Sequence, residues 1–190
     1  MTQKPKGILN YLHGDSATPV DVGFTYAAAL LGVAVVGLLS GETSLRFGLV
    51  SRMILAGTAA DLFGGAVANF TRSTNGWYWR GSAKLRLVFL FVHAFQPAVI
   101  ALAVSPESGT FLLASYLWML GTAFLIVGLR KRQHQLPLAV FLTLAGSVGL
   151  PVFFKPALFL AWFAPVYLTK LDLGFSVNHW DIIDAENRRP

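Results

Sequence analysis

Four side chains that could bind ions or transfer protons lie within stretches that are otherwise apolar. They are Asp61, Asn69, His93 and Gln96. Asp61 and Asn69 are two helical turns apart, and His93 and Gln96 are about one turn apart, so each pair would share a helix face. Together they could form a polar interior that binds a proton, an ion or a small solute. Asp61 and His93 could also act as an acid–base pair.

Of these residues, Asp61 has the highest free-energy cost of membrane insertion, because it lies several residues inside an apolar segment. A charge near the middle of a bilayer costs about 2.5–3.5 kcal/mol on insertion scales. The aspartate could be carried as the neutral acid, or it could be paired with a cation. His93 is the partner that we favour from its depth, whereas Arg52 lies on the opposite side of the same helix. The other reading of His93 is a neutral histidine bonded to a backbone carbonyl. The alternative role for Asp61 is a buried hydrogen-bonding group that holds helices together.

The composition excludes an ordinary soluble domain. Of 190 residues, 55% are hydrophobic and 13% are charged, and the mean hydropathy is +0.59. A typical soluble domain has about 25% charged residues. The chain has no cysteine and its histidines are scattered, so we expect no metal site and no cofactor. The net charge of +6 comes from residues between apolar segments, which indicates membrane topology rather than nucleic-acid binding.

Six apolar segments predict an all-α, polytopic bundle of about six transmembrane helices. Their approximate bounds are 22–40, 47–69, 85–104, 110–129, 137–154 and 156–171. The corresponding organisation is an interfacial segment 1–21, a transmembrane domain 22–171 and a tail 172–190. Only Lys155 and Pro156 separate the last two segments. A tight external turn is the simplest account, and a re-entrant hairpin is the alternative.

The distribution of basic residues predicts the orientation. With the N-terminus inside, twelve lysines and arginines, Lys170 among them, fall on the inner side, while Arg46 and Lys155 fall outside. The positive-inside rule therefore places both termini in the cytoplasm. Compactness and the lack of a targeting signal favour a bacterial inner membrane. The lipid bilayer is the expected partner, and Arg72, Arg80 and Arg86 could contact anionic headgroups at the inner face. The alternative is that these arginines only set the membrane topology and bind no specific headgroup.

The second segment carries a face of small residues. Ala56, Ala60, Gly64 and Ala68 are spaced by four, and Gly65 lies in the neighbouring row with Asp61. Small residues at this spacing allow close helix packing in membranes. We therefore expect this helix to be central, with Leu55 and Leu62 on other faces, towards lipid or an apolar neighbour.

Three functions fit these features. The favoured one is a carrier of a small solute, ion or proton through the bundle, centred on Asp61. The first alternative is a non-catalytic membrane subunit or assembly factor, with a membrane-protein partner or as a homo-oligomer. The second is an intramembrane enzyme that modifies a lipid. No nucleophile motif or metal cluster supports the enzyme, so an enzyme is the less favoured reading.

Overall fold

The computed structural model describes residues 7, 9–41, 47–129 and 132–181, and these are helical with short connections. Six helical stretches are long and apolar enough to cross a membrane: Pro19–Ser40, Leu49–Phe70, Ala83–Ala103, Pro106–Gly128, Gln135–Phe154 and Leu158–Phe175. The prediction of an all-α protein with six apolar helices is confirmed. These helices indicate a membrane-embedded, multi-pass protein.

The α-helices within the described ranges are numbered in chain order. They are α1 Leu9–His13, α2 Pro19–Ser40, α3 Leu49–Phe70, α4 Arg72–Arg80, α5 Ala83–Val92, α6 Phe95–Ala103, α7 Gly109–Gly128, α8 Gln135–Phe154 and α9 Phe163–Leu168. A π-helical segment, Thr169–Phe175, continues directly from α9. It is called the π segment below.

The third apolar stretch is broken into α5 and α6 at His93 and Ala94. Pro97 has no N–H, so the carbonyl of His93, four residues earlier, cannot accept the usual helical hydrogen bond. The hydroxyl of Tyr167 on α9 donates to this carbonyl at 2.8 Å. The break is therefore joined to the last apolar stretch by a specific contact.

The last apolar stretch extends to Phe175, four residues beyond the end expected from the sequence. It begins with a 3-10 turn at Leu158–Leu160 and finishes with the π segment. Before it, Lys155 ends α8 in a left-handed conformation (φ 45°) and its side chain is exposed. A tight turn therefore joins α8 to this stretch.

Helix α3 lies at the centre of the bundle, against α2 on one side and α6, α9 and the π segment on others. Gly64 approaches α2 so closely that a Cβ there would lie 3.1 Å from the Cβ of Ala29. Leu55 and Leu62 are 5% and 0% exposed. Of the two expected environments for these leucines, lipid or an apolar neighbour, the structure shows the apolar neighbour, because α3 is covered on more sides than its small-residue face.

The α2–α3 contact gives a first prediction. A Cβ at Gly32 would lie 2.6 Å from the ring of Phe63, whose ring in turn packs on Trp162. We expect Gly32→Ala to lower the free energy of unfolding by about 1–3 kcal/mol, although alanine is the better helix former. Gly37→Ala is the matched control, since a Cβ at Gly37 meets nothing within 4 Å. Thermal unfolding in one detergent measures both, and equal melting temperatures would contradict the close packing.

Candidate functional site

An ion pair joins the middle of α3 to the π segment. The ammonium of Lys170 lies 2.9 Å from Oδ2 of Asp61 and also donates to the backbone carbonyl of Asp61 at 3.2 Å. The amide Nε2 of Gln96 donates to the same Oδ2 at 2.8 Å. Asp61 is twelve residues from the start of α3 and nine from its end, or about 18 and 13 Å along the helix. The pair therefore lies well inside an apolar stretch.

Two expectations about this pair are wrong. The partner of Asp61 is Lys170, not His93. Lys170 is also not an exposed residue outside the apolar stretches, because its side chain is only 4% exposed. Its ammonium reaches Asp61 because the π segment packs against α3 and Gly65 leaves room there.

His93 lies beside the pair with a defined proton position. Its Nδ1 is 2.6 Å from the carbonyl oxygen of Phe89. Since a carbonyl can only accept, Nδ1 donates, and a neutral ring then has an acceptor lone pair on Nε2. His93 thus adds an acceptor to the site rather than a counter-ion.

Asn69 and Gly65 position the lysine. The amide of Asn69 donates to the backbone carbonyl of Lys170 at 2.9 Å, which fixes the π segment against α3. A Cβ at Gly65 would lie 2.5 Å from Cε of Lys170 and 2.7 Å from its Nζ. The glycine therefore leaves the space that the ammonium needs to reach Asp61.

A groove of about 510 Å³ opens onto this cluster. Its polar residues are Asp61, Asn69, His93, Gln96 and Lys170, and its apolar walls include Leu12, Leu85, Val88, Phe89 and Val92. The Asp61 side chain is 44% exposed, whereas that of Lys170 is almost fully covered. The groove thus brings all four sequence-predicted polar residues together, and it presents the carboxylate rather than the ammonium.

One end of the groove is bounded by α1 and α4. The Tyr78 hydroxyl donates to the carbonyl of Tyr11 at 2.9 Å, and the ring of Tyr11 packs edge-on against Trp77. Burial raises the pKa of the Tyr78 hydroxyl above its ordinary value, so Tyr78 remains a donor. This contact holds α1 at the end of the groove.

The three arginines expected at headgroups lie outside the groove. Arg80 pairs with Asp15 at 2.8 Å. Arg86 donates to three carbonyls around the end of α4, those of Tyr78, Trp79 and Gly81, which suits the negative end of a helix dipole. Arg72 stacks over the ring of Trp180 at 5.6 Å and borders a second, smaller cavity of about 320 Å³.

The segment after the π segment packs onto α3 and α4. The Asn75 amide donates to the carbonyls of Gly174 and Val177. His179 donates to the carbonyl of Leu173 at 2.9 Å and packs against the Phe70 ring. Burial lowers the pKa of His179, which favours the neutral ring in this contact.

Asp172 is a second buried acid that the sequence reading placed in the tail. It is 0% exposed, and its Oδ2 is 2.7 Å from the hydroxyl of Thr122 on α7. Its Oδ1 is buried without a hydrogen bond from the described residues. Asp172 lies away from the groove lining, so it supports the packing of α7 on the π segment.

A signal for Lys170 and Asp172 was present in the sequence. The residues around them, "VYLTKLDLGF", alternate charges with leucine, tyrosine and phenylalanine, so the apolar stretch does not end at residue 171. An aspartate in one span can also be paired with a cation from another. Lys170, in the last apolar stretch, is that cation.

Comparison of the chain with protein-family models, curated proteins and solved structures found no match. Among the residues that the structure describes, no three histidine, aspartate or glutamate side chains cluster so as to hold a metal ion.

The ion pair gives a second prediction. Lys170→Met should be strongly destabilising, because it leaves the Asp61 carboxylate inside an apolar stretch without its cation. Breaking a fully buried pair costs about 3–5 kcal/mol, and the partial exposure of Asp61 should reduce that loss. The double variant Asp61→Asn/Lys170→Met should recover most of the stability, since no lone charge is left.

Thermal unfolding of the wild type, both single variants and the double variant measures this coupling as a double-mutant cycle. Lys84→Met, at an exposed lysine of α5, is the control for removing a lysine charge. Additive losses in the cycle would show that the two side chains do not interact.

Proposed function

We propose that this protein is a multi-pass membrane carrier in which a small solute, ion or proton crosses by way of the groove at Asp61. The observation that carries the proposal is the exposure of a carboxylate deep within a membrane-length helix. A pair that only locks helices together gains most when both partners are covered, because water and lipid are then excluded. Here Asp61 faces a cavity while Lys170 is covered.

The break between α5 and α6 supports a pathway at this position. Non-helical backbone at membrane depth is found where it is buried in protein or lines a cavity. His93 at the break and Gln96 just after it both line the groove. Interrupted helices at polar sites near the bilayer midplane are a common feature of transporters.

The orientation is part of the proposal. With Lys170 moved from the inner surface into the bundle, the inner side keeps eleven of the twelve basic residues assigned to it, against two outside. This bias in basic residues still favours both termini in the cytoplasm, with the bacterial inner membrane as the expected location. The end of the groove at α1 would then lie on the cytoplasmic side.

The orientation can be tested by single-cysteine labelling, because the natural chain has no cysteine to give a background. Lys84→Cys and Gln133→Cys are both at exposed positions. They should react with an impermeant maleimide only when the reagent can reach the cytoplasmic side of the membrane. Glu107→Cys should react from outside. Labelling of all three from the same side would contradict six spans with both termini inside.

The pathway can be tested in the same cysteine-free background without knowing the cargo. A carrier exposes its site to each side in turn, so Gln96→Cys should react with a charged, impermeant methanethiosulfonate added to either side of sealed vesicles. Leu102→Cys is the matched control, because this residue is on α6, is 83% exposed and is absent from the groove lining. A lipid-facing cysteine should react from neither side.

Other patterns would contradict the carrier. Labelling of Gln96→Cys from the inner side alone would describe a one-sided pocket, as an intramembrane enzyme would have. Protection from both sides would describe a covered structural site, as in a subunit or assembly factor. In each case intact mass spectrometry gives the labelled fraction.

A further inference from the structure

We infer that the ligand of the groove is an organic cation of one kind, a protonated amine attached to an apolar body. This inference rests on the proposed function and names its substrate class. It follows from the sign of the charge that the groove presents, from the number of acceptors beside it and from the chemistry of its walls.

The charge that a ligand meets is negative. Oδ2 of Asp61 accepts both Gln96 and Lys170, while Oδ1 receives no hydrogen bond from the described residues. The Asp61 side chain is 44% exposed and the Lys170 side chain 4%. The ammonium already donates to two oxygens of Asp61, so an anion entering the groove would meet the carboxylate and not the lysine.

The other polar groups are also acceptors. Nδ1 of His93 is occupied by the carbonyl of Phe89, which leaves Nε2 as an acceptor on a residue that lines the groove. Gln96 uses its amide nitrogen on Asp61, and its Oε1 is buried without a hydrogen-bond donor among the described residues. A primary ammonium has three N–H donors and complements the Asp61 carboxylate together with Nε2 of His93.

The walls select the rest of the molecule. Leu12 on α1 and Leu85, Val88 and Val92 on α5 line the groove together with the polar cluster, so a ligand that fills it must bury apolar surface. A metal ion would bury none, and the described residues contain no cluster of three suitable ligands. A volume of about 510 Å³ lies within the usual range for small-molecule sites.

Equilibrium binding of radiolabelled decylamine to the protein in lipid nanodiscs tests this inference, with binding to empty nanodiscs subtracted. Unlabelled decylamine, decyltrimethylammonium, decanol and decanoate compete with the same apolar chain and different heads. We expect decylamine to compete best, the quaternary cation next because it lacks N–H donors, and decanol and decanoate at least about tenfold less well.

Two variants separate recognition from folding, because their effects should be opposite. Asp61→Asn should weaken decylamine binding at least about tenfold through loss of the charged acceptor. Lys170→Met should strengthen it, because the ligand then no longer shares the carboxylate with the lysine. Because Lys170→Met is expected to be destabilising, each variant is assayed only where thermal unfolding in the same nanodiscs shows it to be folded. Weaker decylamine binding by folded Lys170→Met would also overturn the inference. Gly57→Ala, on α3 with nothing within 4 Å of the added Cβ, should bind as the wild type does.

Equal competition by decanol or decanoate, or unchanged binding in Asp61→Asn, would overturn the inference. So would the absence of specific binding to the wild type. None of these results decides the proposed function, which depends on labelling of Gln96→Cys from both sides of a vesicle. A protein that passes that test and binds no amine would be a carrier of another cargo.

Discussion

The pairing of Asp61 with Lys170 is the constraint on which the rest of the site depends. Each charge would be costly alone inside an apolar helix, and each is tolerable because the other lies 2.9 Å away. Three other features are arranged around the pair. Gly65 leaves room for the ammonium, Asn69 holds the carbonyl of Lys170, and Gln96 supplies a second donor to the carboxylate.

The pair is asymmetric, and the asymmetry gives the site its chemical character. The Lys170 side chain is covered and lies against Gly65 of α3, whereas the Asp61 side chain is partly exposed and lines the groove. His93, at the break between α5 and α6, adds a further acceptor there, because its Nδ1 donates to the carbonyl of Phe89 and leaves Nε2 as the acceptor. The same break frees the carbonyl that Tyr167 binds. Helix packing and the lining of the groove therefore share one irregular region.

Most of the fold could be predicted because it depends on segment-averaged properties. Twenty apolar residues in a row form a helix in a bilayer whatever their order, so the first, second, third and fifth apolar stretches have bounds within three residues of those expected. The last apolar stretch was predicted too short because Lys170 and Asp172 lower its local hydropathy. In a sequence, charged residues indicate the end of a membrane-spanning stretch when the contacts that neutralise them are not known.

The sequence by itself determined that the chain is all-α with six membrane-length helices, and it singled out Asp61, Asn69, His93 and Gln96 as candidate site residues. Tertiary structure alone decided that they line one groove, that Lys170 is the counter-ion, and that Leu55 and Leu62 are buried. The reason is physical. Hydrophobicity and helical period are local to a segment, whereas an ion pair between residues 109 positions apart depends on which helices pack side by side.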